Sequence, residues 1–405
     1  MARRTRIRVI PLGILFIFVA FTVITGIRMA TLDTSIVTTM TFQFPTLPNL
    51  QELGSPNYGQ QAVAIDGKIV YSKNNIESSV MPIASTVKTI LGLAVMEKKP
   101  FPLGEKGENI TITNVDYADY TGYIAVNGST TPVVSGETYS EYDALALVFL
   151  ASSNNMADTL ARWAFGTIDA YHEYAIQMLA NWGISDIAFG SDASGYDTTT
   201  TGSAASLALI AQKVMEQPVL AEIVNMKNYD AQHVGAISNT NKLLGIDRIS
   251  GVKTGFNGDY ASGYCLVSGY VEDDHTITAA LLGAPTRNNS FADSQAMIEE
   301  VQAIYIPTTI VKAGDEVGYY DAWWTERTSI VAEEDVAMLG YDGLETFAEL
   351  EMSDNSKQIA TIVNGSLDLR IADEQKTAKV KTTTEIKTSP NLWERFLRVF
   401  GWERN

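Results

Sequence analysis

The chain is poor in cysteine, in histidine and in positive charge, and each shortage removes a class of function. Cys265 is the sole cysteine among 405 residues, so no internal disulfide and no cysteine-rich zinc site can form. Its setting, Gly263-Tyr264-Cys265-Leu266-Val267, reads as a small residue placed in a core, the usual position of a free cysteine. His172, His233 and His275 are the only histidines. No two of them share a helix face, which disfavours both a histidine metal site and a Ser-His-Asp triad. Lys and Arg total 29 against 47 Asp and Glu, a formal net charge of -18. Such a surface repels phosphate backbones and argues against a nucleic-acid partner.

Long apolar runs are scarce as well. The one that stands out, Val9 to Ile27, is uncharged and follows Arg3, Arg4, Arg6 and Arg8. At about 1.5 Å per residue it nearly spans a bilayer core. Its exit, Gly26-Ile27-Arg28-Met29, is unlike a signal-peptide cleavage site, so an uncleaved anchor is expected in preference to a signal peptide. The arginines before the run, against Arg28 alone close behind it, hold the N-terminus in the cytoplasm. Everything after about residue 30 is then expected outside the cell membrane.

What remains is a globular composition, 46% hydrophobic and 19% charged, long enough for two domains. The expected division is a cytoplasmic basic segment 1–8, an anchor 9–27, a stalk 28–57, a catalytic domain 58–305, an all-β domain 306–385 and an amphipathic helix 390–405. Pro45, Pro48 and Pro56 suggest the stalk, with a short strand near Thr38 to Phe44 as the alternative. A hairpin is expected from Ala62 to Ser72 across Asp66-Gly67, a pair that tolerates positive φ. Apolar residues at helical spacing follow Ser85 until Lys98-Lys99-Pro100, which puts Ser85 at the start of a buried helix. A second helix, Tyr142 to Leu150, breaks at Ala151-Ser152-Ser153-Asn154, and a third carries Met156, Leu160 and Trp163 on one face.

Further along, Ile249 to Lys253, Ser262 to Gly269 and Thr276 to Leu282 read as adjacent antiparallel strands, with Lys253-Thr254-Gly255 closing the first. A helix is expected from about Phe291 to Tyr305. Strands are then expected at Thr308 to Lys312, Tyr319 to Trp324, Ser329 to Val331 and Gln358 to Val363. Near the end Trp393, Phe396, Leu397 and Phe400 share one helical face. That face suits a membrane interface, or alternatively packing on the β domain.

A serine hydroxyl needs a base within reach as it attacks a carbonyl, and Lys88 lies three residues beyond Ser85, on the same helix face. A lysine in a desolvated or cationic pocket can lose its proton readily enough to serve, and the helix N-terminus favours a developing oxyanion. Ser-x-x-Lys alone is a common accident. Followed in order by Ser152-Ser153-Asn154 in a turn and by Lys253-Thr254-Gly255 on a strand, it becomes the three-part serine acyltransferase signature.

On these residues the chain resembles the penicillin-recognising enzymes, specifically the low-molecular-mass D-alanyl-D-alanine carboxypeptidases of serine peptidase family S11. The likeness includes Gly67 to Asn74, Met81 to Ser85, Ser203 to Ala211, Gly251 to Phe256 and Val311 to Gly318, and spans about residues 58 to 385. It implies an α+β fold: a β-lactamase/transpeptidase-like domain, an antiparallel sheet with helices, followed by a smaller all-β domain. It implies Ser85 as the acylated nucleophile, Lys88 as general base and Ser152 as the proton relay to the leaving group. Asn154 would hold the peptide amide, Lys253 would set the local electrostatics, and Thr254 would bind the substrate carboxylate. Gly255 would let the substrate backbone lie against the strand, the backbone N–H groups of Ser85 and Phe256 would form the oxyanion hole, and Arg287 would lie near the substrate carboxylate. Val87 replaces the family's usual threonine, Asn155 a frequent aspartate, and Ala205 an acidic residue; Ser290 stands where a second basic residue is common.

The implied partners are a peptidoglycan stem peptide ending in D-Ala-D-Ala and β-lactams that acylate the same serine; no metal or organic cofactor is implied. A β-lactamase on this fold is the alternative enzyme, disfavoured because no Glu-x-x-x-Asn element lies between Ser152 and Lys253. A non-catalytic wall-binding or scaffold protein is the third reading, opposed by the intact proton-transfer groups.

Overall fold

The structure is a computed structural model that describes residues 9–50, 53–54, 56–73, 80–258, 262–272, 275–353 and 361–401. The basic segment 1–8, Asn74 of the hairpin, Gln358 of an expected strand and residues 402–405 of the terminal helix lie outside the described residues. The chain divides into two compact units, one of Leu50–Ile304 and one of Met1–Asn49 with Tyr305–Asn405.

In the first unit Gln60–Ile65 (β1) and Lys68–Lys73 (β2) form the expected hairpin, with Asp66 and Gly67 both at positive φ. With Lys253–Phe256 (β3), Tyr264–Glu272 (β4) and His275–Ala284 (β5) they make a five-stranded antiparallel sheet in the order β3-β4-β5-β1-β2. Lys88–Lys98 (α1), Glu141–Phe149 (α2), Asn154–Phe165 (α3) and Ala204–Glu216 (α4) form a helical body, and α4 and Arg287–Ile304 (α5) pack on the sheet. Ile90, Leu91, Leu145, Phe149, Leu160 and Leu207 lie in its core, each at most 1% exposed. Gly92 lets α1 meet α2 closely, since a Cβ there would stand 2.5 Å from Phe149 Cε2.

Two expected boundaries move. The strand expected over Ile249 to Lys253 instead begins at Lys253, so the Lys-Thr-Gly run opens β3 and does not close an earlier strand. Ile249 makes only an isolated bridge to Tyr270, because the Gly251 carbonyl accepts from Asn241 Nδ2 at 2.6 Å and leaves the ladder. Helix α5 starts at Arg287 and not near Phe291. The Thr286 hydroxyl accepts the Asn289 N–H at 3.1 Å and serves as an N-cap.

The second unit is built on a six-stranded antiparallel sheet, Val37–Met40, Glu316–Asp321, Thr328–Ala332, Glu374–Thr382, Asn364–Ile371 and Thr346–Met352 in that order. Thr308–Val311 pairs separately with Val336–Met338. The stalk gives way to its stated alternative, a short strand, and Val37–Met40 covers the free edge of Glu316–Asp321, which would otherwise expose unpaired backbone groups. Phe42, Phe44 and Leu47 join the core of this unit. The strand expected over Gln358 to Val363 is absent from its described part, where Thr361 only bridges Ile386.

The unit also holds a helix at Val9–Ala30, whose stretch Gly13–Ala30 is long and apolar enough to cross a membrane. A short helix at Leu392–Val399 opens on a capping box of Asn391 and Glu394. Phe400, just past its end, meets Phe21 of the long helix at a ring distance of 5.9 Å.

Candidate active site

Three pieces of chain meet at the open edge of the sheet in the first unit. Ala84–Val87 is a single 3-10 turn feeding α1, and Ser85 rides on it, half-buried. Ala84 before it has φ +50, and Ser152, in the turn between α2 and α3, has φ +58. Non-glycine residues seldom take this left-handed region, and such positions cluster at functional sites. The third piece is β3, the edge strand.

Lys88 is fully buried. Its Nζ donates to Ser85 Oγ at 2.7 Å, to Asn154 Oδ1 at 2.8 Å and to the Ser194 carbonyl at 3.0 Å. Burial pushes its pKa down to about 7, against the opposing pull of the Asp192 and Asp158 charges. Lys253, 1% exposed, donates to Ser152 Oγ at 2.9 Å and to the Thr254 carbonyl at 3.0 Å. Burial first, and the neighbouring charge of Lys88 second, hold it well below the usual lysine range. Two desolvated amines thus face two hydroxyls, an arrangement able to take a proton from one oxygen and return it to another.

The walls follow from local hydrogen bonding. Ser153 Oγ caps α3 at Met156, which leaves Asn154 as the first helical residue with its amide aimed at Lys88. Asn155 grips the backbone of Thr131 from both sides, accepting from its N–H and donating to its carbonyl, each at 3.0 Å. A carboxylate could make only the first of these bonds, so an asparagine at this position secures the segment that lines one wall. Gly255 leaves β3 close to the 3-10 turn, where a Cβ would stand 3.1 Å from the Ile83 carbonyl and 3.2 Å from Thr86 Cγ2. The Thr254 hydroxyl sits 2.7 Å from that of Thr240.

Together these segments enclose a cleft of about 480 Å³ lined by Ser85, Ser152, Asn154, Thr254, Gly255, Phe256 and Arg287 among others. Of the nine residues singled out from the sequence, Lys88 and Lys253 alone are absent from the lining, being buried beneath it. Phe256 stacks on Tyr264 at 4.2 Å, and the exposed Arg287 lies 5.9 Å from the same ring at the start of α5. No carboxylate is among the described residues that line the cleft. The three histidines are absent from it too, and Cys265 is buried there as a thiol whose pKa burial pushes up to about 12.

The sequence reading missed Thr240, Tyr196, Ser194, Asp192 and Asp158. Asp158 had a signal, since it lies one helical turn beyond Asn154 and so shares its face. The others sit on loops of no period; the turn-forming run Ser191-Asp192-Ala193-Ser194-Gly195 marked Asp192 and Ser194, while nothing comparable marked Tyr196 or Thr240.

Comparison with solved structures places the fold. The D-alanyl-D-alanine carboxypeptidase DacD of Francisella tularensis is 17% identical, with a TM-score of 0.55 over 84% of this chain and 95% of its own. A peptidoglycan synthesis regulatory factor, PBP3 of Streptococcus pneumoniae, is 20% identical, with a TM-score of 0.56 over 81% of this chain and 98% of its own. The Streptomyces K15 DD-transpeptidase, also 20% identical, covers 64% of this chain and 99% of its own at a TM-score of 0.53. No curated protein matches the sequence. The family model of the peptidase S11 D-alanyl-D-alanine carboxypeptidases matches residues 58–286, more than half the chain and all three motifs, and the protein belongs to that family.

Proposed function

We propose that this D-Ala-D-Ala carboxypeptidase works through an acyl-enzyme on Ser85. The observation that carries the reading is the fully buried Lys88 amine, 2.7 Å from Ser85 Oγ and with its proton affinity lowered to the neutral range. Ser85 Oγ attacks the carbonyl of the penultimate D-alanine while Lys88 Nζ takes its proton. The oxyanion that forms is held by the backbone N–H groups of Ser85 and Phe256. Such a donor is worth about 2.7–4 kcal/mol of barrier. The peptide bond then breaks, and the departing amine of D-alanine receives a proton through the Ser152 hydroxyl, which Lys253 holds in place. Water that gives its proton to Lys88 then attacks the acyl-serine, and Lys88 returns that proton to Ser85 Oγ as the ester bond breaks and the shortened peptide leaves.

Substrate placement follows the cleft. Asn154 holds the peptide amide, and the free edge of β3 offers backbone groups to an extended peptide. Thr254 and Arg287 take the terminal carboxylate; Arg287 makes no ion pair among the described residues. β-Lactams acylate Ser85 by the same attack; among the described residues the cleft lining has no carboxylate to speed deacylation, which favours this reading over a β-lactamase.

The membrane address belongs to the same proposal. Val9–Ala30 stays as an uncleaved anchor, the unit bearing Ser85 works on the extracytoplasmic side against peptidoglycan, and the terminal helix lays Trp393 and Phe400 into the interface. Their exposures, 65% and 54%, support lipid contact over burial on the β sheet.

The test is release of D-alanine from a peptide ending in D-Ala-D-Ala by purified protein and by Ser85→Ala. Release by the first and none by the second is expected; equal release by both would sink the reading.

A further inference from the structure

Beneath Lys88 lies a second polar cluster that none of the three motifs contains. Asp158 and Asp192 are buried, 3% and 9% exposed. Asp158 Oδ1 accepts the Ala193 N–H at 2.8 Å and its Oδ2 accepts the Tyr123 hydroxyl at 2.8 Å. Asp192 Oδ1 accepts from Ser194 N at 2.8 Å, Ser194 Oγ at 2.6 Å and Tyr196 N at 3.1 Å, and its Oδ2 accepts from Asp197 N at 2.7 Å. The Tyr123 and Ser194 hydroxyls stand 3.4 Å apart and join the two carboxylates. The carbonyl of that same Ser194 is the third acceptor of the Lys88 amine.

We propose that Asp158 and Asp192 are positioning residues for Lys88: they hold the Ser194 carbonyl on its amine and supply the buried negative charge against which the lysine exchanges the serine proton. The proposal rests on the reading of Lys88 as the base. Ser194 is tied on both sides, through Ala193 to Asp158 and through its own amide and hydroxyl to Asp192, so its carbonyl cannot swing away from the amine without breaking buried bonds.

The charges around the pair come from every packed element. Asn154 and Asp158 lie on α3, Tyr123 and Asp119 on the helix Asn114–Ala125, Tyr171, His172 and Asp169 on the helix Ile168–Asn181, Asp192 on its loop, and Lys253 on β3. Burial holds His172 below the usual imidazole range, so it adds no charge at neutral pH. The Tyr171 hydroxyl has no hydrogen-bond partner among the described residues, and burial holds its proton on. Burial, with the Asp192 charge second, pushes Asp158 up to about 7. The same charges oppose the burial that drives Lys88 down. Removing one therefore lets Lys88 become a neutral amine at lower pH, and a weaker base.

The sign makes the test specific. Acylation by a fluorescent penicillin is followed from pH 5 to pH 9 in the full-length wild type, in Asp158→Asn and in Tyr123→Phe, with thermal melting to report folding. In Asp158→Asn the acid limb of the rate profile moves to lower pH by a measurable fraction of a unit, because Asp158, with its own pKa pushed up to about 7, carries only part of its charge where Lys88 titrates. Tyr123→Phe removes the hydroxyl that donates to Asp158 and moves the limb the same way by less; it carries the test if Asp158→Asn does not fold. An acid limb that stays in place in a folded variant, with or without a uniform loss of rate, overturns the proposal and leaves Lys88 as the base. A limb that survives in Lys88→Ala overturns the reading of Lys88, and this proposal with it.

Discussion

At Lys88 the three N–H bonds of an ammonium each have an acceptor, two side chains and one carbonyl, yet the group is fully buried beneath the cleft. Burial wins over hydrogen bonding because an ion loses more by leaving water than three neutral acceptors return. Acylation should therefore rise with pH through about 7 and level off above, as the neutral amine becomes the major form, and Lys88→Ala should lose roughly 100- to 10,000-fold in rate. Stopped-flow penicillin binding across pH checks both. Asn155→Asp should cost about 1–3 kcal/mol in urea unfolding, because the Thr131 carbonyl loses its buried donor. At this scale the sequence showed every group that reaches the cleft through a short motif. The carboxylates below left only faint marks, the helical spacing of Asp158 from Asn154 and the turn-forming run around Asp192, because their partners arrive from helices and loops far apart in the chain.

Among the elements, two glycines set how closely the pieces bearing these groups approach. Replacing Gly92 by alanine would favour helix α1 intrinsically by up to about 1 kcal/mol, but the new Cβ lies 2.5 Å from the Phe149 ring, and overpacking costs about 1–3 kcal/mol. The clash should win, and Gly92→Ala should unfold at lower urea than the wild type. Gly195 has φ +75, and a Cβ there would stand 2.2 Å from the Ala84 carbonyl. Gly195→Ala should push the Asp192–Asp197 loop off the turn that carries Ser85, lowering the melting temperature and slowing acylation together. The elements nearest the motifs were legible because amphipathic spacing and turn residues mark them. Val37–Met40 was legible only as the alternative to a stalk, since an edge strand needs only backbone partners, and Glu374–Thr382 was not legible, since its lysines masked an inward row of Ala378, Val380 and Thr382.

Over the whole molecule, one apolar helix and one short aromatic helix stand in the same unit as the β sheet, with Phe21 against Phe400. If both bind lipid, liposomes should float the full chain, a chain ending before Pro390 should float as well and resist salt because the long helix alone still spans, and a chain lacking the long helix should float only weakly and be released by salt. The α+β class and the family were readable at this scale from the order of three motifs. The boundary near residue 305 was readable as well, but not the return of residues before the hairpin to the β unit, which rests on contacts that no local pattern records. The proposed mechanism depends on a covalent bond forming at one oxygen, Ser85 Oγ. The most direct measurement is peptide mapping by mass spectrometry after the purified protein is mixed with benzylpenicillin: an adduct on the peptide bearing Ser85, absent in Ser85→Ala, is expected, and an adduct elsewhere, or none, would contradict it.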